Sequence, residues 1–320
     1  MIPRTSSGVI KFRPVRKGSR VALVAPASPF DRAEFDRGAD EIRRLGLEPV
    51  WDEDVFERQA FTAGRPRVRV MALLRALDTL GADAVISVRG GYGSVELLPL
   101  LDTDRVRSAR TAFVGYSDVT SLHTYLGAVV GLASVHGAML EGRLATGPEA
   151  YDPVSWLKSM SAEPLGEMAP EGLEVLSPGF PGIASGPLVG GTLTQLLASF
   201  GTPYEFNPPG GHVLFLDEVN ERPYKLHRML TQLRLSGRLQ RAAAVIFGQL
   251  PGCDEPGGKV TARDVIKDVL LQGFQGPVLF GFPSGHSSSP SISVPLGVQV
   301  RVVGNPHQPV VVFEEAAAAD

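Results

Sequence analysis

The sequence predicts an α/β fold, with a parallel sheet in the first half and a more β-rich second half. Three observations point there. Strand-like and helix-like stretches alternate through the first 150 residues. The helical stretches are long enough to act as crossovers between parallel strands. Beyond a stretch rich in Pro and Gly, short strand-like runs crowd the remainder of the chain.

RVALVAP (20–26) is a β-rich run stopped by proline, and DRAEFDRGADEIRRLG (31–46) has helical spacing and a terminal glycine. LEPVWD (47–52) is the next candidate strand, and VRVMALLRALDTLG (68–81) is an amphipathic helix closed by Gly81. ADAVISVRGGYGS (82–94) and TAFVGYSD (111–118) repeat the strand-then-turn theme, each followed by a helical stretch. These elements form a first domain over 1–150, and the loosened pattern of 151–186 reads as an interdomain crossover. The second domain, 187–320, opens on GGTLTQLLASFG (190–201) as a helix and continues to the strand HVLFLD (212–217). A helix over 222–237, the strand AAVIFGQL (243–250) and a helix over 262–273 follow. PVLFGFP, SISVPLG, VQVRVVG and QPVVVFEE are all strand-like, and EEAAAAD reads as a frayed tail.

With 320 residues, 43% hydrophobic and 20% charged, the chain has the composition of a globular protein with a sizeable core. A formal net charge of −3 argues against a nucleic-acid partner. Lys11, Arg13, Arg16, Lys17 and Arg20 form a basic cluster with no apolar segment of signal-peptide type behind it. No apolar run is long enough to cross a bilayer, so a membrane partner is not expected. Cys253 stands alone and reads as a passive loop thiol, which excludes a disulfide framework. The six histidines show no metal-ligand spacing, so a zinc site is not expected. A cytoplasmic enzyme or binding protein fits these bounds.

Ligands of parallel sheets bind beyond the carboxyl ends of the strands, where both glycine-bearing turns of the first domain fall. In FVGYSDVTSLH (113–123), Ser117 sits on a sharp strand-to-helix turn that suits a nucleophile, with the Asp118 N–H facing a developing oxyanion. The nucleophile-elbow pattern is incomplete, since Val119 stands where it wants glycine. Taken on local sequence alone, Ser117 or Asp118 as a cap for the helix starting near Val119 is the favoured reading. In RGGYGS (89–94), Gly90 and Gly91 leave backbone N–H groups able to approach an anion or polarised carbonyl, although a plain tight turn explains them too. Arg89 is a candidate clamp for a substrate carboxylate, and Tyr92 is a second substrate-binding candidate in the same turn. Asp217 and Glu218 close an apolar strand, and alternation lets only one of them face a given side. Either acid could orient a histidine, or serve as a helix-start acid. Among the histidines, His286 sits in a loop of small residues, His136 follows an apolar strand as a core or supporting residue, and His227 lies mid-helix as a packing residue.

Taken in order, VALVAPASP, VRGGYGS, FVGYSDVTSLH, VHGAML, LVGGTLTQLLASFGTPYE, LFLDEVNERPYKLHRML and GFPSGHSSSPSISVPLG resemble the LD-carboxypeptidase family of serine peptidases. That family includes muramoyltetrapeptide carboxypeptidases and microcin immunity peptidases. The resemblance runs from about residue 20 to 300. It implies a flavodoxin- or Rossmann-like N-terminal domain, a β-rich α+β C-terminal domain, and a Ser-His-acid triad between them. Carried over, the nucleophile falls on Ser117 and the base on His286. The acid falls on Asp217, where the family has glutamate followed by aspartate, with Glu218 as the fallback. Thr192 and His227 also depart from the family's usual Asn and Asp. The resemblance implies an oxyanion hole from Asp118 with Gly90 or Gly91, no cofactor, and a homodimer. It implies release of a C-terminal D-amino acid from cytoplasmic muropeptides during peptidoglycan recycling. Cleavage of peptidyl- or aminoacyl-nucleotides and non-catalytic small-molecule binding are the alternatives.

Overall fold

The computed structural model describes residues 8–78, 80–176, 182–270 and 273–320. Its first sheet is built from β1 (Arg20–Val24), β2 (Glu48–Val50), β3 (Ala84–Ser87), β4 (Ala112–Gly115) and β5 (Ser134–His136). These five are mutually parallel, in the order β2-β1-β3-β4-β5. That is the flavodoxin-like strand order, whose direction reverses between β1 and β3. Near-continuous apolar runs such as AVIS and AFVG are buried throughout because helices cover both faces.

The helices form where caps and periodicity agree. Asp31 accepts from the Glu34 N–H at the start of α1 (Arg32–Arg44), which buries Phe35, Ala39 and Ile42 along one stripe. Proline opens α2 (Pro66–Asp78), and Asp102 caps α3 (Thr103–Ala109). The short α4 (Thr120–Tyr125) follows β4 and is fully buried, and α5 (Pro153–Lys158) lies in the crossover.

The crossover also supplies both edges of a second, eight-stranded sheet, β6 (Gly166–Met168) and β7 (Glu174–Val175). Its centre is four parallel strands: β8 (Ile183–Thr192), β9 (His212–Asp217), β10 (Ala242–Gly248) and β11 (Val278–Phe282). α6 (Leu193–Ala198), α7 (Pro223–Leu235) and α8 (Ala262–Leu270) connect them. β12 (Val294–Leu296) crosses back to pair antiparallel with β5 in the first sheet. β13 (Gln299–Val303) and β14 (Val310–Phe313) then return to the second sheet. None of the described helices is long and apolar enough to cross a membrane.

The two sheets share a core. Along β9, Val213 and Phe215 pack into a cluster that reaches the first domain, while Leu214 and Leu216 pack under the helices of the second. Each such side chain, taken out of water, stabilises the fold by roughly 1.5–3 kcal/mol. The alternation decides more than packing, because it also assigns the two acids that end the strand to opposite faces.

Three expectations are corrected. The stretch 190–201 is not helical from its start: Gly190 and Gly191 belong to β8, with φ of +135° and +142°. A Cβ on Gly190 would lie 1.9 Å from the Phe215 carbonyl oxygen, so the backbone approach requires glycine. The alanine-rich end is tied down rather than frayed. Ala317 and Ala318 are buried, the Phe12 N–H donates to Ala317 O at 3.1 Å, and Ala319 N–H donates back to Phe12 O at 2.9 Å. Lys11 and Arg16 of the basic cluster pair there with Glu315 and Asp320. His227 is exposed instead of packed, its Nε2 3.1 Å from Asp268 on α8. Part of the stretch expected as a helix over 262–273 lies outside the described residues.

Candidate active site

Ser117 follows β4 through Tyr116 and has φ +66°, in the left-handed region. A non-glycine residue is destabilised there by about 1–2 kcal/mol, so the surroundings must hold the turn. Gly115 lets the turn close: a Cβ on it would lie 2.7 Å from Val119 Cγ2 and 3.1 Å from Ser87 Cβ. Behind the turn, the buried His123 bridges Ser134 Oγ and the Gly115 carbonyl, each at 2.8 Å. Burial pushes the His123 imidazole down to about 4, so it stays neutral.

Neither Ser117 nor Asp118 caps the helix that follows them. The Asp118 carboxylate instead accepts from the Gly93 and Ser94 N–H groups, at 3.3 and 2.9 Å. Ser94 Oγ donates in turn to the Asp118 carbonyl at 2.8 Å. Burial pushes the Asp118 carboxyl up, and the Ser94 and Gly93 donors oppose it. The glycine turn is thereby fastened to the serine turn. Gly90 lies so near that a Cβ on it would be 2.9 Å from Ser117 Cβ.

The second domain brings two groups to the same place. The Asp217 carboxylate, at the end of β9 and fully buried, accepts from His286 Nδ1 at 2.7 Å. It also accepts from the His286 main-chain N–H at 3.2 Å. Gly285 makes this approach possible with φ +74°, since a Cβ there would lie 2.5 Å from Asp217 Oδ2 and 2.7 Å from His136 Cε1. Burial opposes the His286 charge, but attraction and hydrogen bonding from Asp217 outweigh it and raise its proton affinity above the ordinary value. Burial pushes Asp217 up, and His286 draws it back.

Glu218 faces the other way, as the alternation of β9 requires. Its carboxylate accepts from Thr194 N–H at 2.9 Å, Thr194 Oγ1 at 2.6 Å and its neighbour Val219 N–H at 3.0 Å. It therefore secures the start of α6 and does not touch the imidazole.

Ser117 and His286 line one open cleft of about 410 Å³, together with Arg89, Gly90, Tyr116 and Glu141. The Arg89 guanidinium is half-exposed there and pairs with Glu141 at 3.1 Å. The Tyr92 ring packs edge-on against Phe61, with centroids 5.3 Å apart, and is not among the cleft-lining residues. The Tyr116 ring stands edge-on to His286 at 5.0 Å. His136 is buried, joined through Nδ1 to Ser284 Oγ at 3.1 Å, and burial holds its proton affinity well below the ordinary value. Cys253 is buried away from the cleft, and burial pushes its thiol up to about 11. Among the described residues, no three His, Cys, Asp or Glu side chains converge in a metal-binding group. The sequence reading missed the Asp118 carboxylate and Glu141; an acid directly after the serine was visible, but its partner lay in another turn.

The LD-carboxypeptidase N-terminal domain family matches residues 21–137, and the LD-carboxypeptidase C-terminal domain family matches residues 185–302. The chain belongs to the LD-carboxypeptidase family. It is a serine-type peptidase of that family, a hydrolase. A probable murein peptide carboxypeptidase of Bacillus subtilis (strain 168) is 32% identical over 298 residues, covering 91% of each chain. A murein tetrapeptide carboxypeptidase of Pseudomonas aeruginosa is 29% identical over 297 residues, covering 89% of this chain and 94% of that protein. The solved wild-type apo structure of the microcin C7 self-immunity protein MccF shares the fold. Its TM-score is 0.88 at 22% identity, over 97% of this chain and all of that one.

Proposed function

We propose that this LD-carboxypeptidase hydrolyses the bond between an L-residue and a C-terminal D-alanine in murein tetrapeptides, using Ser117, His286 and Asp217. The observation that carries the reading is the 2.7 Å contact from the buried Asp217 to His286, which lines the same cleft as the strained Ser117 turn. With Nδ1–H donated to Asp217, the lone pair of His286 lies on Nε2 and can take the Ser117 proton as Oγ attacks the scissile carbonyl. The Asp118 N–H and one N–H from Gly90 or Gly91 hold the oxyanion. Protonated His286 then gives its proton to the leaving amine, D-alanine departs, and water hydrolyses the acyl-enzyme by the same relay in reverse. In this reading Arg89, which pairs with Glu141 in the cleft, exchanges it for the carboxylate of the departing residue. The names of the Bacillus and Pseudomonas relatives support the murein substrate class. A cytoplasmic role in peptidoglycan recycling, as a homodimer, is part of the same proposal.

The test is incubation of a muropeptide tetrapeptide with wild type and with Ser117→Ala, following free D-alanine and tripeptide by mass spectrometry. Release by wild type, lost in the variant, is expected. No release by wild type, or equal release by both, would overturn the proposal.

A further inference from the structure

His286 is held by Asp217 from one side, but the loop that carries it is held from the first domain. Arg143 lies just beyond a sharp bend in which Glu141 is extended and Gly142 has φ +76°. From there its guanidinium reaches across to the loop after β11. Nη2 donates to the Gly285 and Ser287 carbonyls, both at 2.9 Å, and to Ser287 Oγ at 3.2 Å. Nη1 donates to the Ala150 carbonyl at 2.9 Å. One side chain thus grips the main chain on both sides of His286 and anchors it to the domain that carries Ser117.

Only a planar fork of several donors can do this, because a lysine ammonium cannot span those acceptors at once. Its charge also faces the Tyr116 hydroxyl, and the Tyr116 ring stands against the imidazole. The charged and titratable groups around His286 are Asp217 at the end of β9, Glu218 just after it, His136 from β5, Tyr116 from the serine turn, Arg143 itself, and Glu34, Arg89 and Glu141 lining the same cleft.

We propose that Arg143 is a positioning residue, fixing the His286 loop against the Ser117 turn by holding the carbonyls of Gly285 and Ser287. The proposal rests on the Ser117–His286–Asp217 reading. Because this one guanidinium holds the main-chain carbonyls on both sides of His286, its loss lets the imidazole shift relative to Ser117, and the effect falls on turnover more than on substrate binding. Removing the cation also removes an influence that lowers the proton affinity of His286, against the stronger pull of Asp217.

The experiment compares wild type, Arg143→Met and Arg143→Lys by kcat, KM and the pH dependence of kcat on a muropeptide tetrapeptide, with ¹⁵N-histidine NMR of the His286 ring. In Arg143→Met, kcat falls on the order of 10²-fold while KM changes by less than about threefold. Its acid limb moves to higher pH. Arg143→Lys returns the limb towards the wild-type position but leaves kcat about tenfold low, because charge is restored without the fork. The His286 Nδ1–H resonance, present in wild type and in Ser117→Ala, weakens or shifts in Arg143→Met. A kcat for Arg143→Met within about twofold of wild type, or an unchanged His286 resonance, overturns the proposal. If Arg143→Met fails to fold, a wild-type kcat in Arg143→Lys overturns it equally. Absence of D-alanine release by wild type would instead refute the triad's proposed reaction, and the NMR readout still reports where Arg143 holds His286.

Discussion

Gly90→Ala adds one methyl group where the glycine turn and the Ser117 turn touch. The new Cβ would lie 2.9 Å from Ser117 Cβ, 3.1 Å from Ser117 Oγ and 3.4 Å from the Asp118 nitrogen. Carbon atoms at rest sit about 3.5–4.0 Å apart, so something must give by roughly 0.6 Å or more. Ser117 cannot easily retreat, since its φ of +66° is already strained and Gly115 is wedged against Val119 and Ser87. The glycine turn cannot easily retreat either, because Asp118 holds Gly93 and Ser94. Whichever side yields, the serine oxygen and the candidate oxyanion donors lose their mutual placement. A displacement approaching 1 Å costs about 10²-fold in rate, which corresponds to about 2.7 kcal/mol of barrier. Steady-state release of D-alanine, read with a D-amino-acid oxidase couple, should therefore show kcat/KM down about 10²-fold. The accompanying overpacking should lower stability by roughly 1–3 kcal/mol. A kcat/KM within about threefold of wild type would refute the placement of Ser117 against Gly90 as a catalytic constraint.

Asp217→Asn and Glu218→Gln should separate the two adjacent acids. The first removes the anion that orients His286 and should lower kcat by roughly 10³–10⁴-fold, while the second should leave kcat within about tenfold and instead destabilise the start of α6. Comparable losses of kcat in both would contradict the division of labour. For pH, His286 as the proposed base must be neutral and its proton affinity is raised above the ordinary 6.5, so kcat/KM should climb with pH through a limb above 6.5. That limb should move down in Asp217→Asn, and a limb that stays in place would count against the pairing. His123 titrates oppositely: folded it is held near 4 and unfolded near 6.5. Below 6.5 the unfolded chain binds a proton that the folded one refuses, so stability falls as pH drops, by about 3 kcal/mol on reaching pH 4. Urea unfolding of wild type and His123→Gln at pH 7 and pH 5 reads this, with a shallower pH dependence expected in the variant.

Much of the architecture was legible because it is written in local periodicity. The strand 212–217, the helix stripes of Phe35, Ala39 and Ile42 and of Leu226, Leu230 and Leu233, and the turns after β3 and β4 all follow from spacing and caps. The strand period also stated that Asp217 and Glu218 face opposite sides. It did not state which side holds the histidine, because that depends on where a loop 69 residues away returns.

The remainder was beyond local pattern. β12 reads like any other short strand, yet it crosses to pair with β5, because its partner edge exists only once the first sheet has formed. The terminal alanines look solvent-bound, yet they pair with Phe12. Asp118 looks like a cap for its own helix, yet its carboxylate serves the Gly93–Ser94 turn.

By itself, then, the sequence determined the element types, the α/β class, the family resemblance and the residues worth watching, since these depend on side-chain period and short motifs. Only the tertiary structure decided which acid meets His286, where the Asp118 carboxylate goes and what Arg143 grips. Those contacts join segments far apart in the chain, and their geometry exists only when two sheets pack against one core.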